Sequence, residues 1–152
     1  MTDILVIGSV NLDLSAAVSR LPEAGETVTG ASLSHFPGGK GANQALAAKR
    51  LGADVRLVAC VGDDAAADEA LALLREGDVD LFGVQRLGDL PTGIALISVA
   101  PSGENQIVVA PGANAAMDAG SLVLSQADAL ICQLEIPGAV VEKAAADFDG
   151  FF

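Results

Sequence analysis

Tryptophan and tyrosine are absent from this chain, and phenylalanine occurs only five times. With so few rings to fill space, any core must be aliphatic, built from Val, Leu, Ile and Ala. Basic residues are scarce as well. Eight Lys and Arg stand against 20 Asp and Glu, a net charge of −12. Nucleic acid and anionic membrane surfaces call for clustered Lys and Arg, so neither is expected as a partner. The acidity reads as a device for solubility. There is one histidine, and the only cysteines are Cys60 and Cys132. Neither cysteine has metal-binding or redox spacing, and both lie in apolar, strand-like runs. Buried free thiols in a reducing cytosol are expected. No apolar run approaches the ~20 residues of a membrane-spanning helix. Met1-Thr2-Asp3 lacks the basic start of a secretory leader, so a cytoplasmic location is expected. The 152 residues suffice for one domain with its own core.

What the chain does contain is short apolar runs separated by helix-like segments. Residues 4–8 are Ile-Leu-Val-Ile-Gly, a run suited to a strand buried on both faces. Residues 55–61 and 128–134 have the same character, and 79–86 is a candidate fourth strand. One helix is predicted from about Ala42 to Leu51, ending at Gly52. A second follows Asp63 and Asp64, with Ala67, Ala70, Leu71 and Leu74 on one face and a stop near Gly77. A third is expected after Asp118 and a fourth after Pro137. This alternation predicts a parallel α/β sandwich. Residues 26–36, 92–99 and 105–110 break it. They alternate and look half-exposed, and Pro101-Ser102-Gly103-Glu104 reads as a hairpin turn between the last two. A small sheet beside the sandwich is expected, placed as a lid or a dimer surface. The segment from Asp147 to Phe152 turns and begins a further apolar run, so the chain is expected to be cut in mid-fold.

The most informative stretch is Pro37-Gly-Gly-Lys-Gly-Ala-Asn-Gln-Ala45. Gly38, Gly39 and Gly41 allow close backbone approach to a ligand. Asn43 adds a donor and an acceptor, and the free N–H groups of the following helix face the same space. It is not a Walker loop, because Ser34 and Gly41 stand where Gly and Ser or Thr are needed. It is not a dinucleotide fingerprint either, because Gln44 replaces the last glycine.

Ligands of an open α/β sheet gather beyond the carboxyl ends of its strands. Asn11 and Asp13 follow the first strand and, two apart, point the same way. A polar turn with an Asx cap is the competing reading. Gln133 and Glu135 follow the strand at 128–132. Glu135 lies between Leu134 and Ile136, where an unpaired carboxylate is costly, though it could instead cap the next helix. With Lys40 and the loop, these groups suit a polyol: carboxylates accept hydroxyl hydrogens, and amides and N–H groups donate to hydroxyl oxygens. His35 reads as a surface or lid residue rather than a base. Asp63 and Asp64 read as a helix cap rather than a metal site. Gly112-Ala113-Asn114 reads as a turn that could touch a ligand.

Together these residues resemble the ribokinase-like (PfkB) carbohydrate kinase family, which also holds adenosine kinase and fructokinases. Its first signature is matched by Gly38, Gly39, Gly41, Asn43, Ala45, Gly52 and Gly62. Gly8-Ser-Val-Asn-Leu-Asp13, Gly25-Glu-Thr27, Thr92-Gly93, Pro111-Gly-Ala-Asn114 and Gln133-Leu-Glu135 add to the likeness, which covers essentially the whole chain. It implies a three-layer α/β/α sandwich with a mainly parallel central sheet and a small β lid. The lid strands would come from about 12–18, 26–36, 92–100 and 105–110, and the lid often pairs subunits into homodimers. It implies that Asn11, Asp13, Gly38, Gly39, Lys40, Asn43 and Glu135 hold the hydroxyls of a sugar. The implied reaction transfers the γ-phosphoryl of ATP to the CH₂OH of D-ribose, giving ribose 5-phosphate, with Mg²⁺ and a monovalent cation such as K⁺ assisting.

One departure is large. The family's second signature, a Gly-Ala-Gly-Asp type segment with the catalytic Asp base, is absent, and the nucleotide pocket belongs to the same missing half. Positioning and electrostatics are nearly the whole of phosphoryl-transfer catalysis, so the chain alone is expected to be inactive. A non-catalytic sugar-binding or dimerisation module, and a kinase for another sugar or a nucleoside, are the alternatives.

Overall fold

The computed structural model describes residues 2–152. Its frame is a fully parallel sheet of β1 (Asp3–Ile7), β4 (Asp54–Gly62), β5 (Asp80–Leu87) and β8 (Ala129–Cys132). The strand order is β5-β4-β1-β8. Both faces are covered, which is why these strands read as apolar runs. Val6, Val55, Leu57 and Val61 face α1 (Lys40–Arg50), α2 (Ala65–Ala70) and α3 (Ala72–Glu76). Leu5, Ile7 and Cys60 face the opposite layer, with Val140 and Ala144 of α4 (Gly138–Asp147). The result is the expected three-layer sandwich with four core strands. Phe151 extends it by one parallel bridge to Ala129 on the outer edge of β8.

A second sheet holds β2 (Asn11–Ala17), β3 (Ser32–Gly38), β6 (Gly93–Val99) and β7 (Asn105–Ala110), in the order β3-β2-β6-β7. β2 pairs with β6 in parallel and with β3 antiparallel, and β6 and β7 form the predicted hairpin. Register places Asn11, Asp13, Phe36, Ile97, Ile107 and Val109 on one face.

Several expectations need correction. The strand expected over 26–36 runs from Ser32 to Gly38 instead. Residues 26–31 are irregular, with Gly30 at φ 81°. Pro37 is tolerated because β3 is an edge strand, where its missing N–H costs no ladder bond. The helix expected after Asp118 is only a 3₁₀ turn over Ala119–Ser121. The Asp118 carboxylate caps this turn, accepting from the N–H groups of Gly120 and Ser121, and the backbone turns extended at Leu122, where ψ is 119°. Beneath this segment lies an apolar cavity of about 570 Å³, lined by Leu57, Cys60, Phe82, Met117 and Leu122. Cys60 is buried as expected, but Cys132 is only half-buried. No described helix is long and apolar enough to cross a membrane.

Candidate substrate-binding site

The chain passes between the two sheets at Gly8–Val10, Gly38–Gly39, residues 88–92 and Ala110–Gly112. The candidate residues collect at these passages. Asn11 and Asp13 project from β2 just after the first. Lys40 and Asn43 stand on the first turn of α1, just after the second. Glu135 comes from the parallel sheet alone, beyond the end of β8.

Gly38 and Gly39 make this convergence possible, though not in the way the loop suggests. An added Cβ at Gly38 would lie 2.4 Å from both Asp13 carboxylate oxygens. At Gly39, where φ is 91°, a Cβ would sit 2.7 Å from Ser9 O, Val10 Cα and Asn11 N. The space these glycines leave is thus filled by the protein's own Asp13 side chain and the backbone of Ser9, Val10 and Asn11, not held open for a ligand. One first-turn donor is also in use, since the Ala42 N–H donates to Ser9 O at 3.0 Å.

Glu135 is half-buried and paired on both oxygens. Lys40 Nζ donates to Oε1, and Ser9 Oγ donates to Oε2 at 3.1 Å. The capping alternative fails, because α4 has no side-chain cap. Asp13 is the opposite case. It is half-buried, and its carboxylate makes no hydrogen bond to any described residue. Burial pushes its carboxyl up from the ordinary range, and the nearby negative charge of Glu135 pushes it further. It sits inside β2, opposite Phe36, and caps no turn. Gln133 is buried and accepts from the Ser9 N–H at 3.1 Å, so it braces the first passage.

The other sequence candidates fall outside. His35 lies on the face of β3 away from Asp13 and meets Glu69 at 3.0 Å on the surface. Asp64 does cap α2, accepting from the Ala67 N–H at 2.9 Å, and it does more. Its carboxylate also accepts from Thr92 N at 2.8 Å and Thr92 Oγ1 at 2.6 Å, while Thr92 Oγ1 accepts from Gly62 N at 2.9 Å. This network ties the end of β4 to the root of β6. Burial alone would raise the Asp64 carboxyl, but the Thr92 and Ala67 hydrogen bonds and nearby Arg86 outweigh it and hold it low. Asn114 is buried and bonds to Val10 and Asn11 rather than facing a ligand. Sequence reasoning missed Ser9 and the role of Thr92, since neither carries a local signal. No group of three or more metal-ligating side chains comes together among the described residues.

The sequence and fold have counterparts among known proteins. The model of the family described as pfkB family carbohydrate kinase matches residues 1–146. The chain belongs to that family. A ribokinase of Haemophilus influenzae is 39% identical over 92% of this chain and 47% of its own length. The solved ribokinase of Thermotoga maritima superposes with a TM-score of 0.90 at 35% identity, over 99% of this chain and 51% of that one. An Arabidopsis thaliana ribokinase, solved in complex with ribose and ATP, gives 0.81 at 31% identity, over 95% and 49%. The chain thus spans about half the length of the relatives it matches. In this pfkB-family chain the second sheet, β3-β2-β6-β7, stands beside the parallel sheet.

Proposed function

We propose that this chain is the acceptor-binding part of a ribokinase-type kinase, holding D-ribose between the parallel sheet and the lid. The observation that carries this reading is the convergence of Asn11 and Asp13 of β2, Lys40 of α1 and Glu135 beyond β8, where Lys40 pairs with Glu135 and the charge of Glu135 reaches Asp13. Asp13 accepts hydroxyl hydrogens, Asn11 and Asn43 supply amides, and Glu135, oriented by Lys40 and Ser9, gives a second acceptor. Gly38 and Gly39 shape the floor. The whole reaction transfers the γ-phosphoryl of ATP to the sugar CH₂OH, in the cytoplasm. ATP, Mg²⁺ and a monovalent cation such as K⁺ enter through the part of the family's length that this chain does not span, so the 152 residues alone are inactive. Apolar residues exposed on both lid faces, including Leu33, Leu96, Ile107 and Val108, together with the free edge of β7, favour a homodimer through the lid.

Calorimetric titration with ribose, fructose and adenosine tests the acceptor. Ribose is expected to bind best, and preference for either of the others moves the acceptor to that class. A steady-state assay with ribose and ATP tests the division of labour. Clear turnover by the pure 152-residue chain would overturn it.

A further inference from the structure

Asn114 is 1% exposed and stands on the 3₁₀ turn Gly112–Ala116, outside both sheets. Its carboxamide meets both polar groups of one backbone residue. The Val10 N–H, which can only donate, lies 2.9 Å from Oδ1, and the Val10 carbonyl, which can only accept, lies 3.0 Å from Nδ2. Backbone polarity therefore decides which end of the amide is which. The remaining hydrogen of Nδ2 points at Asn11, whose Oδ1 lies 2.8 Å away. A donor there demands an acceptor, so Asn11 must turn its oxygen inward and its Nδ2 outward. That Nδ2 has no partner among the described residues. No buried side-chain N or O atom among them lacks one, so Asn11 Nδ2 keeps some access to solvent although the residue as a whole is only 5% exposed. Gly93 closes the other side, since an added Cβ would lie 2.2 Å from Asn11 Oδ1 and 2.3 Å from Asn114 Nδ2.

We infer that Asn114 is a positioning residue that makes Asn11 a hydrogen-bond donor beside the acceptor Asp13, an inference that rests on the sugar-binding reading of this site. Asn11 and Asp13 share one face of β2. A ligand group held between them must accept from one and donate to the other. A hydroxyl does both. An ammonium group cannot accept, and an ether or carbonyl oxygen cannot donate. The buried amide thus selects a free hydroxyl at one position of the acceptor, without touching it.

The test is Asn114→Asp, which keeps the size and the acceptor for Val10 N–H but replaces the donor facing Asn11. Nitrogen-resolved side-chain amide exchange reads the orientation, and calorimetry with ribose reads the consequence. In the unaltered chain the Asn11 NH₂ is expected to exchange freely while the Asn114 NH₂ is protected, by ~100-fold or more. In N114D the Asn11 NH₂ turns inward and becomes protected, and ribose affinity falls ~10-fold or more. A protected Asn11 NH₂ in the unaltered chain overturns the inference, and so does N114D binding ribose as tightly as the unaltered chain. If N114D does not fold, exchange in the unaltered chain still decides the orientation. Failure of the unaltered chain to bind ribose counts against the sugar reading, and the exchange measurements then judge the amide pair by themselves.

Discussion

Replacing Asp13 by Asn separates a ligand-binding role from a structural one. The side chain keeps its shape over Gly38, and no protein hydrogen bond is lost, because the Asp13 carboxylate makes none among the described residues. Its carboxyl is raised by burial and by the charge of Glu135, so the ionised form is a burden on the folded state. A raised folded value means the folded chain holds the proton more tightly than the unfolded one. Wild-type stability therefore gains as pH falls through the folded value toward the unfolded value of about 3.9. At neutral pH Asp13→Asn removes the burden, so its urea midpoint should match or exceed that of the wild type. The advantage should fade through that acidic window. Binding should behave the other way. Hydrogen bonds to a charged acceptor contribute about 1.5–3 kcal/mol each. If two hydroxyls donate to Asp13 and the amide keeps one weaker bond of about 1 kcal/mol, the net loss is roughly 2–5 kcal/mol, or about 30- to 4000-fold in Kd. Calorimetry with ribose and urea unfolding on the same preparation make the measurement. Affinity within threefold of wild type, or destabilisation beyond about 1 kcal/mol with affinity intact, would refute the reasoning.

Gly38→Ala should cost ribose affinity at least as much as Asp13→Asn, because its Cβ would meet both Asp13 oxygens at 2.4 Å; calorimetry with ribose checks this. Asp64→Ala should destabilise by about 2–4 kcal/mol, from a lost helix cap and two lost bonds to Thr92, read as a lower urea midpoint. Since the Asp64 carboxyl is held low, its contribution is complete above the unfolded value near 3.9 and disappears as pH falls through the folded one, so wild type and variant should converge in strong acid. Lys40→Met should weaken ribose binding about tenfold by freeing Glu135 from its orienting partner, while an exposed ion pair of this kind adds only ~0.5 kcal/mol to stability; titration and unfolding read the two effects.

The parts of the fold that were legible are those with a local period. The doubly covered strands declare themselves as apolar runs at 4–8 and 55–61, and β6 and β7 as alternating segments around Gly103. Misreadings fall where one side-chain bond or one neighbour decides. Asp118 looks like a helix start and is one, but the chain turns extended at Leu122 after a single 3₁₀ turn, which the cap alone does not foretell. Pro37 looks like a strand terminator, yet only position in the sheet tells that β3 is an edge. In the site, the spacing of Asn11 and Asp13 was readable because strand geometry fixes it. The partners of those residues were not. Asn114 lies 104 positions from Val10 and Glu135 lies 126 from Ser9, and no short-range pattern encodes such contacts. The glycines misled in an instructive way. Their composition signals a close approach but does not say by what, and the answer is the Asp13 side chain and the backbone of Ser9, Val10 and Asn11.

That answer bears on the kind of ligand the site suits. Asp13 and Glu135 are close enough for the second to raise the first, so negative charge is already concentrated at the passage between the sheets. The one cation beside them among the described residues, Lys40, is paired with Glu135. A phosphorylated or carboxylated ligand would add a third like charge to this corner. A neutral polyol brings hydroxyl hydrogens, which supply the donors Asp13 lacks and offset the repulsion it now bears. On the proposed sugar-binding reading, a raised carboxylate with no hydrogen bond among the described residues suits that neutral donor, and the same charge would disfavour a phosphorylated product.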